Sequence, residues 1–363
     1  MAESPHLDPT RAVRPGEELD LAALATHLAA NLEGPTGPLV VEQFPSGHSN
    51  LTYLLRAGER ELVLRRPPFG TRVKTAHDMG REHRILAGLS RVYPKAPRPL
   101  LYCADPAVIG APFYVMERVR GVILRGLQPK AAAGLAPAEV RRLCEALVDG
   151  LVELHAVDLE AAGLAGEGHP EGYVRRQVEG WTRRYFDAKT DEVPALEAAA
   201  AWLPGHLPPE SGVALIHNDY KYDNVVLATD DLTRIVAVLD WEMATVGDPL
   251  MDLGTSLGYW VDPDDTPEHR LLPFGPTTLP GNLTRAEVAA RYAARSGRDV
   301  KDVLFYYVFA LLKIATIAQQ IYKRFVEGHT KDPRFGAMIF GVKILGATAA
   351  RAIELGRIDR LGA

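Results

Sequence analysis

The sequence predicts an α+β protein with two lobes, a small antiparallel β lobe followed by a larger, mainly helical lobe. Two observations favour this division. Short apolar and β-branched segments, separated by turns that contain glycine or proline, occupy the first 119 residues. From residue 121 onward helical periodicity dominates, apart from a strand–loop–strand block at 214–242. A cleft between two such lobes is a usual place for a ligand.

The small lobe is predicted to span residues 17–119, after a flexible N-terminal arm at 1–16 that is rich in proline, charge and small residues. A first helix is predicted at 20–32, where helix stop signals follow. A second helix is predicted at 77–89. Five strands are predicted at 39–44, 51–56, 61–65, 100–104 and 112–119.

The larger lobe is predicted to span residues 120–363. Thr284 and Glu287 form a capping box at the start of one of its helices. The most apolar segment, 303–321, is interrupted by Lys313 and two glutamines, so we predict a buried helix of a soluble domain. Helices are predicted at 136–155, 172–187, 192–203, 285–296, 303–327 and 334–355.

Composition restricts the class of protein. The 363 residues are 47% hydrophobic and 24% charged, as in ordinary soluble globular proteins. A formal charge of −5 argues against nucleic-acid binding. The N-terminus lacks the apolar core of a secretory signal, and Cys103 and Cys144 suggest neither a disulfide framework nor a metal site. We predict a cytoplasmic protein with no nucleic-acid or membrane partner, while its oligomeric state stays open.

Polar side chains follow two apolar strands of the 214–242 block. His217, Asp219 and Asn224 follow the first strand, and Asp240 ends the second. Phosphoryl transfer needs a carboxylate that orients the attacking hydroxyl and accepts its proton, together with oxygen ligands for Mg²⁺. We therefore predict Asp219 as the catalytic carboxylate and Asn224 and Asp240 as magnesium ligands. His217 is predicted to hold the loop through its ring nitrogens.

Each of these residues also has a simpler interpretation, because Asp and Asn commonly make turn contacts and Asp240 can cap whatever follows it. The complete pattern, H-x-D-x4-N followed by an apolar strand and Asp, matches the signature set of kinases. Glu242, two residues beyond Asp240, is a further candidate metal ligand, since alternation along an extended chain places it on the same side.

The same block resembles the catalytic loop and metal-binding aspartate of the aminoglycoside phosphotransferase and choline kinase-like superfamily. The segment GDPLMDL at 247–253 is similar to that family's G-D-P-x-x-D-L element. More narrowly, SGHSNLTY at 46–53, VLRRPP at 63–68, REHR at 81–84 and VIGAPFYVME at 108–117 resemble the phosphotransferase domain associated with acyl-CoA dehydrogenases. The resemblance covers residues 38–330. It implies a protein-kinase-like fold, ATP as co-substrate, Mg²⁺, and a hydroxylated small molecule, such as a hydroxyacyl-CoA, as acceptor.

The resemblance also implies a set of nucleotide-binding residues. Protein kinases pair a lysine of the third strand with a helix glutamate to bind the phosphates. Here Arg65 ends the third strand and Glu82 is its expected partner, with Arg66 as the alternative because a one-residue slip reverses the face. The turn after the first strand is expected to cover the β- and γ-phosphates, although an ordinary hairpin turn is equally compatible; its residues are Ser46, Gly47, His48 and Ser49.

Met116, Glu117 and Val119 are expected to form the hinge whose backbone bonds the adenine edge. Lys221 either contacts the transferred phosphate or is a solvated charge. His155 is expected to pack, and Asp252 to cap a helix that begins at residue 253.

Two other functions stay open. Asp262, Asp264 and Asp265 can supply acid for a polycation, so an aminoglycoside or another small metabolite is a possible acceptor. A catalytically inactive nucleotide-binding regulator is the second alternative. A basic cluster can meet the phosphates of CoA or simply be solvated; it consists of Arg65, Arg66, Arg72 and Lys74.

Overall fold

The computed structural model describes residues 8–33, 37–45, 50–69, 78–330 and 332–362. Contacts between residues divide the chain into two compact units. The first unit comprises Met1–Ile123, Asp158–Ala165 and Asn224–Ala244, and the second comprises Leu124–Val157, Gly166–Asp223 and Thr245–Ala363. The lobe boundary at residue 119 stays a prediction, since the first unit also takes in two later segments.

The first unit contains a five-stranded antiparallel sheet with the strand order β1-β2-β3-β5-β4. Its strands match the five predicted ones to within two residues at each end. They are β1 (Leu39–Gln43), β2 (Leu51–Ala57), β3 (Arg60–Arg66), β4 (Pro99–Cys103) and β5 (Phe113–Glu117). The predicted α+β class with a small antiparallel β lobe is confirmed.

Side chains from the sheet and from helix α1 (Leu21–Asn31) form one core of the first unit. Burial of such apolar surface is the main favourable term in folding. The helix begins after Asp20, whose carboxylate accepts the Ala23 N–H, and it buries Leu24 and Leu28. The fully buried sheet residues in this cluster are Tyr53, Leu55, Leu64, Phe113 and Val115.

Part of the predicted N-terminal arm contacts the sheet. Arg11 and Gln43 exchange two backbone hydrogen bonds of 3.0 and 2.8 Å, so this segment extends the edge at β1. The described part of the arm is therefore docked along β1, and its flexibility stays a prediction. Sequence reasoning could not detect this docking because an isolated bridge has no periodic pattern, and residues 1–7 lie outside the described part of the chain.

Two further elements of the first unit position candidate site residues. Helix α2 (Met79–Leu89) begins after Asp78, whose side chain accepts the Arg81 N–H, and it buries Glu82 in its first turn. Strands β7 (Val225–Leu227) and β8 (Ile235–Val238) form a two-stranded antiparallel ladder. The short helix α4 (Leu159–Ala162) also belongs to this unit.

The second unit is mainly helical, with a two-stranded ladder of β6 (Ala214–Ile216) and β9 (Thr245–Gly247). The long helix α9 (Val303–Val326) packs against several of the other helices, which places it at the centre of the unit. The remaining α-helices described in this unit are α3 (Pro137–His155), α5 (Tyr173–Ala188), α6 (Pro194–Trp202), α7 (Pro249–Gly258), α8 (Arg285–Ser296), α10 (Pro333–Gly336) and α11 (Met338–Leu355).

The capping box predicted for α8 is present. Thr284 N–H donates to Glu287 Oε2 over 2.8 Å, while the Thr284 hydroxyl accepts the Glu287 N–H. The single helix predicted at 334–355 is wrong, because α10 and α11 are separate. The break follows Gly336, where the Phe325 ring lies only 2.9 Å from the position that a Cβ would occupy.

Within the described residues, two helical segments are long and apolar enough to cross a membrane by length and composition: Val303–Val326, which is α9, and Pro333–Leu355, which comprises α10 and α11. In the first, 72% of the most apolar window is buried inside the protein. This agrees with its prediction as a buried core helix. In the second, 39% of the corresponding window is buried.

Candidate active site

The candidate catalytic loop of the second unit begins directly after β6. His217 N–H and Asn218 N–H donate to the two carboxylate oxygens of Asp252, over 2.6 and 2.7 Å. Asn218 has a φ of 66°, the left-handed region that non-glycine residues rarely adopt. Asp252 on α7 therefore fixes the backbone of the loop just before Asp219, through charge-assisted hydrogen bonds.

The ring of His217 supports the next residue. Asp219 N–H donates to His217 Nδ1 over 3.3 Å, so this ring nitrogen acts as the acceptor. His217 is fully buried. The ring thus bonds the loop, which is the role that the sequence suggested for it.

The carboxylate of Asp219 is paired with Lys221 of the same loop. Lys221 Nζ lies 2.9 Å from both carboxylate oxygens of Asp219. The same ammonium lies 4.3 Å from the centre of the Tyr259 ring. Although burial opposes the charged form, Tyr259 and Asp219 raise the pKa of Lys221 above its usual value. Lys221 is therefore a partner of the candidate catalytic carboxylate, and its interpretation as a solvated charge is wrong.

Asp252 is the anchor of the loop and not a helix cap. Helix α7 begins at Pro249, so its N-cap is Asp248, which accepts the Leu250 N–H over 2.8 Å. His155 Nε2 lies 3.1 Å from Asp252, and His155 Nδ1 lies 2.7 Å from the Tyr292 hydroxyl. Although burial acts in the opposite direction, these contacts lower the pKa of Asp252, so it stays ionised. His155 was expected only to pack; it supports this anchor.

A small, mainly apolar cavity of about 20 Å³ lies in the second unit beside the catalytic loop. Lys221 and Tyr259, which contact each other, both line it. Its apolar lining matches the apolar part of a small ligand, and the cavity would have to widen to admit one. The rest of its lining comes from α3, α7, α8 and connecting segments, and consists of Leu147, Val148, Leu151, Tyr220, Tyr222, Leu253, Ser256, Trp260, Phe274, Thr277 and Val288.

In the first unit, Arg65 joins three carboxylates. Its guanidinium lies 2.6 Å from Glu82, 2.9 Å from Asp240 and 3.3 Å from Glu242. The expected pair of Arg65 and Glu82 is therefore present. Burial raises the pKa of Glu82, and the guanidinium opposes this shift. Burial also acts against the charge of Arg65, but the surrounding acids outweigh it and raise the pKa of Arg65.

Arg66 has a different environment. Its guanidinium donates to the carbonyls of Ile109 and Pro67, over 2.8 and 3.1 Å. It also lies 3.6 Å from the centre of the Phe69 ring. Because neighbouring side chains of a strand point to opposite faces, only one of the two arginines can face the acidic group. In the described residues that arginine is Arg65.

The candidate metal ligands of the first unit lie around the ends of β7 and β8. Leu239 N–H donates to the Asn224 carbonyl over 2.8 Å, which brings Asn224 close to the residue before Asp240. Asp240 has a left-handed φ of 68°. Glu242 accepts a hydrogen bond of 2.7 Å from the Asn50 amide. Among the described residues no group of three or more His, Cys, Asp or Glu side chains is arranged to hold a metal.

Amide and carboxylate oxygens are nevertheless the donors that Mg²⁺ accepts, and Mg²⁺ needs only one or two carboxylates beside water and phosphate oxygens. The side chains of Asp240 and Glu242 are 35% and 20% exposed, so both can meet a hydrated ion. The donor chemistry of Asn224, Asp240 and Glu242 therefore fits magnesium.

The remaining candidate residues are only partly placed. Ser46, Gly47, His48 and Ser49 lie outside the described residues. Met116 is buried in β5, and Glu117 ends that strand with its carboxylate 2.6 Å from Arg98. Val119 is partly buried two residues beyond the strand. The adenine-binding role of this segment stays a prediction.

Sequence reasoning missed one residue of the loop's surroundings, Lys313. Its ammonium donates to the Asn218 carbonyl over 2.8 Å. A signal was present, since Lys313 interrupts the most apolar segment of the chain, and a lone charge in such a segment needs a buried partner.

Comparison with known proteins identifies the family. The model of the phosphotransferase enzyme family matches residues 40–301. The chain is 36% identical to mouse acyl-CoA dehydrogenase family member 10 over 326 residues, which are 89% of this chain and 30% of that protein. It is 34% identical to rat acyl-CoA dehydrogenase family member 11, over 88% of this chain and 41% of that protein. The chain thus spans less than half the length of these relatives.

Solved structures agree in fold. A putative aminoglycoside phosphotransferase from Ralstonia eutropha has a TM-score of 0.75 and 30% identity, with 91% of this chain and 98% of that chain covered. Choline kinase from Cryptosporidium parvum has a TM-score of 0.60 at 12% identity, over 94% of this chain and 99% of that chain. The latter likeness shows the fold alone, which is the bilobal phosphotransferase fold.

Proposed function

Because the chain belongs to the phosphotransferase enzyme family, we propose that it transfers the γ-phosphoryl group of ATP, in the presence of Mg²⁺, to the hydroxyl of a hydroxyacyl-CoA. The observation that carries this proposal is the carboxylate of Asp219. It follows a backbone segment that two hydrogen bonds fix to Asp252, and it borders an apolar cavity through its partner Lys221.

Asp219 orients the acceptor hydroxyl and takes up its proton. A positioned carboxylate of this kind serves kinases, in which positioning and electrostatic stabilisation account for nearly all of the catalysis. Lys221 favours the ionised form of Asp219, because an opposite charge within hydrogen-bond distance stabilises the carboxylate. An ionised Asp219 is the state that can accept the proton.

Residues of the first unit are proposed to bind the nucleotide and the metal. Asn224, Asp240 and Glu242 are the proposed magnesium ligands, and bound Mg²⁺ would neutralise charge on the β- and γ-phosphates. Arg65, held by Glu82, is proposed to bind the phosphates as the lysine of protein kinases does. The backbone of the loop at 46–49 and of the hinge at 116–119 completes the proposed nucleotide site.

The choice of acceptor follows from the cavity and from the relatives. An apolar lining suits an acyl chain better than a polycationic sugar, and the similar regions of the mouse and rat proteins occur in acyl-CoA dehydrogenase family members. Two of the three acidic residues considered for an aminoglycoside, Asp262 and Asp265, have another role. Asp265 pairs with buried Arg285 over 2.5 and 2.6 Å, and Asp262 accepts the Arg285 N–H. These two carboxylates are buried structural groups.

We further place the reaction in the cytoplasm, since both cysteines are free thiols. An inactive nucleotide-binding regulator is the alternative. It would bind nucleotide but show no turnover with any hydroxylated acceptor.

The test is release of ADP from Mg-ATP with and without a 4-hydroxyacyl-CoA. We expect acceptor-dependent ADP release that falls about 10²- to 10⁴-fold in Asp219→Asn, since this change removes the general base without altering shape. Asp299→Asn, on an exposed loop of the same unit, is the control and should match the parent. Binding of Mg-ATP with no turnover across a panel of hydroxylated acyl-CoAs, sugars and amino alcohols would instead support the regulator.

A further inference from the structure

Lys313 is a lysine buried in the middle of the central helix α9. Its residue surface is only 2% exposed. The ammonium donates to the Asn218 carbonyl over 2.8 Å, and it lies 3.4 Å from Asn218 Oδ1 and 3.5 Å from the Thr255 hydroxyl. A buried charge of this kind is costly to desolvate, so its position needs a reason beyond packing.

The residue that Lys313 contacts is the strained one in the catalytic loop. Asn218 adopts a left-handed φ of 66° immediately before Asp219. Asp252 of α7 accepts the N–H of Asn218, and Lys313 of α9 donates to its carbonyl. Charged groups from two helices therefore hold both polar backbone groups of one residue, and such residues persist only where the surroundings impose the conformation.

We propose that Lys313 is a positioning residue for phosphoryl transfer: its ammonium holds the Asn218 backbone, and through it the carboxylate of Asp219, so that the enzyme is fully active only while Lys313 is protonated. This inference rests on the proposed role of Asp219 as catalytic carboxylate.

The groups around Lys313 determine when it loses its proton. Burial opposes its charge most strongly, Asp219 and Asp252 favour the charge, and Lys221 and Arg184 of α5 oppose it. Together they lower the pKa of Lys313 to about 8. The ring of Trp181 on α5 lies 5.9 Å away, and the buried residues of α11, which packs along α9, are all uncharged. Lys313 therefore loses its charge within the pH range that an activity assay can cover.

A neutral amine can still donate a hydrogen bond, but a weaker one. The difference between charged and neutral donors corresponds to roughly a fivefold change in an equilibrium. We therefore expect kcat to fall about fivefold above pH 8 and then to reach a plateau.

Three variants test this inference. Lys313→Met removes the donor and should lower kcat about tenfold or more at every pH, with the KM for ATP within about twofold of the parent, since one strong, charge-assisted hydrogen bond and two longer contacts are lost. Lys313→Gln keeps a neutral donor and should show intermediate kcat without the alkaline decrease near pH 8. The control is Lys323→Met on the same helix, whose ammonium donates to the Asp187 carbonyl at the surface. Lys323→Met should keep the kcat of the parent and its dependence on pH.

A second measurement does not depend on turnover. Hydrogen exchange at the amides of residues 218 and 219 should be faster in Lys313→Met than in the parent and unchanged in Lys323→Met. Unchanged exchange in folded Lys313→Met overturns the inference, and so does an alkaline decrease of kcat that persists in Lys313→Gln. If the parent shows no turnover with any acceptor, the proposed function fails, while exchange still decides whether Lys313 holds the loop.

Discussion

Replacement of Lys313 should change stability in a way that depends on pH. The folded pKa of Lys313 is about 8, compared with 10.5 for an exposed lysine. Below pH 8 the side chain is charged in both the folded and the unfolded protein, so the folded state bears the full cost of burying the charge. As pH rises from 8 to 10.5 this cost is relieved. The lowered pKa corresponds to about 3 kcal/mol, because each tenfold change in a proton-binding constant is worth about 1.4 kcal/mol.

The prediction concerns the difference between two proteins. Lys313→Met lacks the buried ammonium, so the parent should gain up to about 3 kcal/mol relative to the variant between pH 7 and 10.5. Other groups that titrate in this range contribute equally to both proteins and cancel. At pH 7 the variant should be about as stable as the parent or more stable, because relief of the desolvation cost offsets the loss of hydrogen bonds.

The assay is denaturant unfolding at several pH values from 7 to 10.5, analysed for the free energy of unfolding in water. Lys323→Met is the matched control on the same helix, and its difference from the parent should stay nearly constant. A constant difference for Lys313→Met as well would refute the reasoning, since it would mean that the buried amine carries no perturbed proton in the folded state.

Two other predictions concern the first unit and the cavity. Arg65→Met leaves Glu82 buried without its partner, so the free energy of unfolding should fall by about 3–5 kcal/mol near neutral pH. The loss should be smaller at acid pH, where Glu82 takes up a proton. Arg65→Met should also weaken ATP binding, measured by titration calorimetry, whereas Arg66→Met should leave it unchanged. Val148→Phe narrows the cavity, so one to two methylenes of the acyl chain should lose their burial. The KM for a long-chain hydroxyacyl-CoA should therefore rise about tenfold, while the KM for ATP should stay unchanged.

Each of these predictions has a clear contrary result. Equal loss of ATP affinity in Arg65→Met and Arg66→Met would remove the special role of Arg65. For the cavity, the matched variant is Val140→Phe, which alters a buried valine of the same helix α3 that does not line the cavity. If both valine variants raise the acceptor KM alike, the effect comes from helix distortion and the cavity does not bind the acyl chain.

Elements that depend on local pattern were predictable from the sequence. Apolar and β-branched segments between turns indicated β1–β5, and the spacing of Thr284 and Glu287 indicated the start of α8. The pair of Arg65 and Glu82 came from the family resemblance. These features depend on residues close in sequence or on a recognised motif, so one chain is enough to infer them.

Features that depend on long-range packing were missed. Lys313 is 95 residues from Asn218, and His217 is 35 residues from Asp252. Contacts over such sequence separations produce no periodic pattern. Asp252 was therefore predicted to cap a helix, and Lys313 was noted only as an interruption of an apolar helix. The pairing of Lys221 with Asp219 was not predicted for a different reason, since a lysine two residues from an aspartate is usually solvated. The neighbouring Tyr259 and the position of the pair beside the cavity favour it here.

The two left-handed residues closest to the proposed chemistry, Asn218 and Asp240, each contact charged side chains within their own unit. Charged groups hold the backbone of Asn218, whereas Arg65 contacts the carboxylate of Asp240. Charged side chains from other elements contact each of them: Asp252 and Lys313 contact Asn218, and Arg65 contacts Asp240. A neutral hydrophobic core would stabilise these positions at lower cost, since replacing a whole buried ion pair by well-packed apolar residues is often neutral or stabilising. Charges retained at strained residues thus support function by fixing geometry, which is why replacing Lys313 should lower activity without lowering stability at neutral pH.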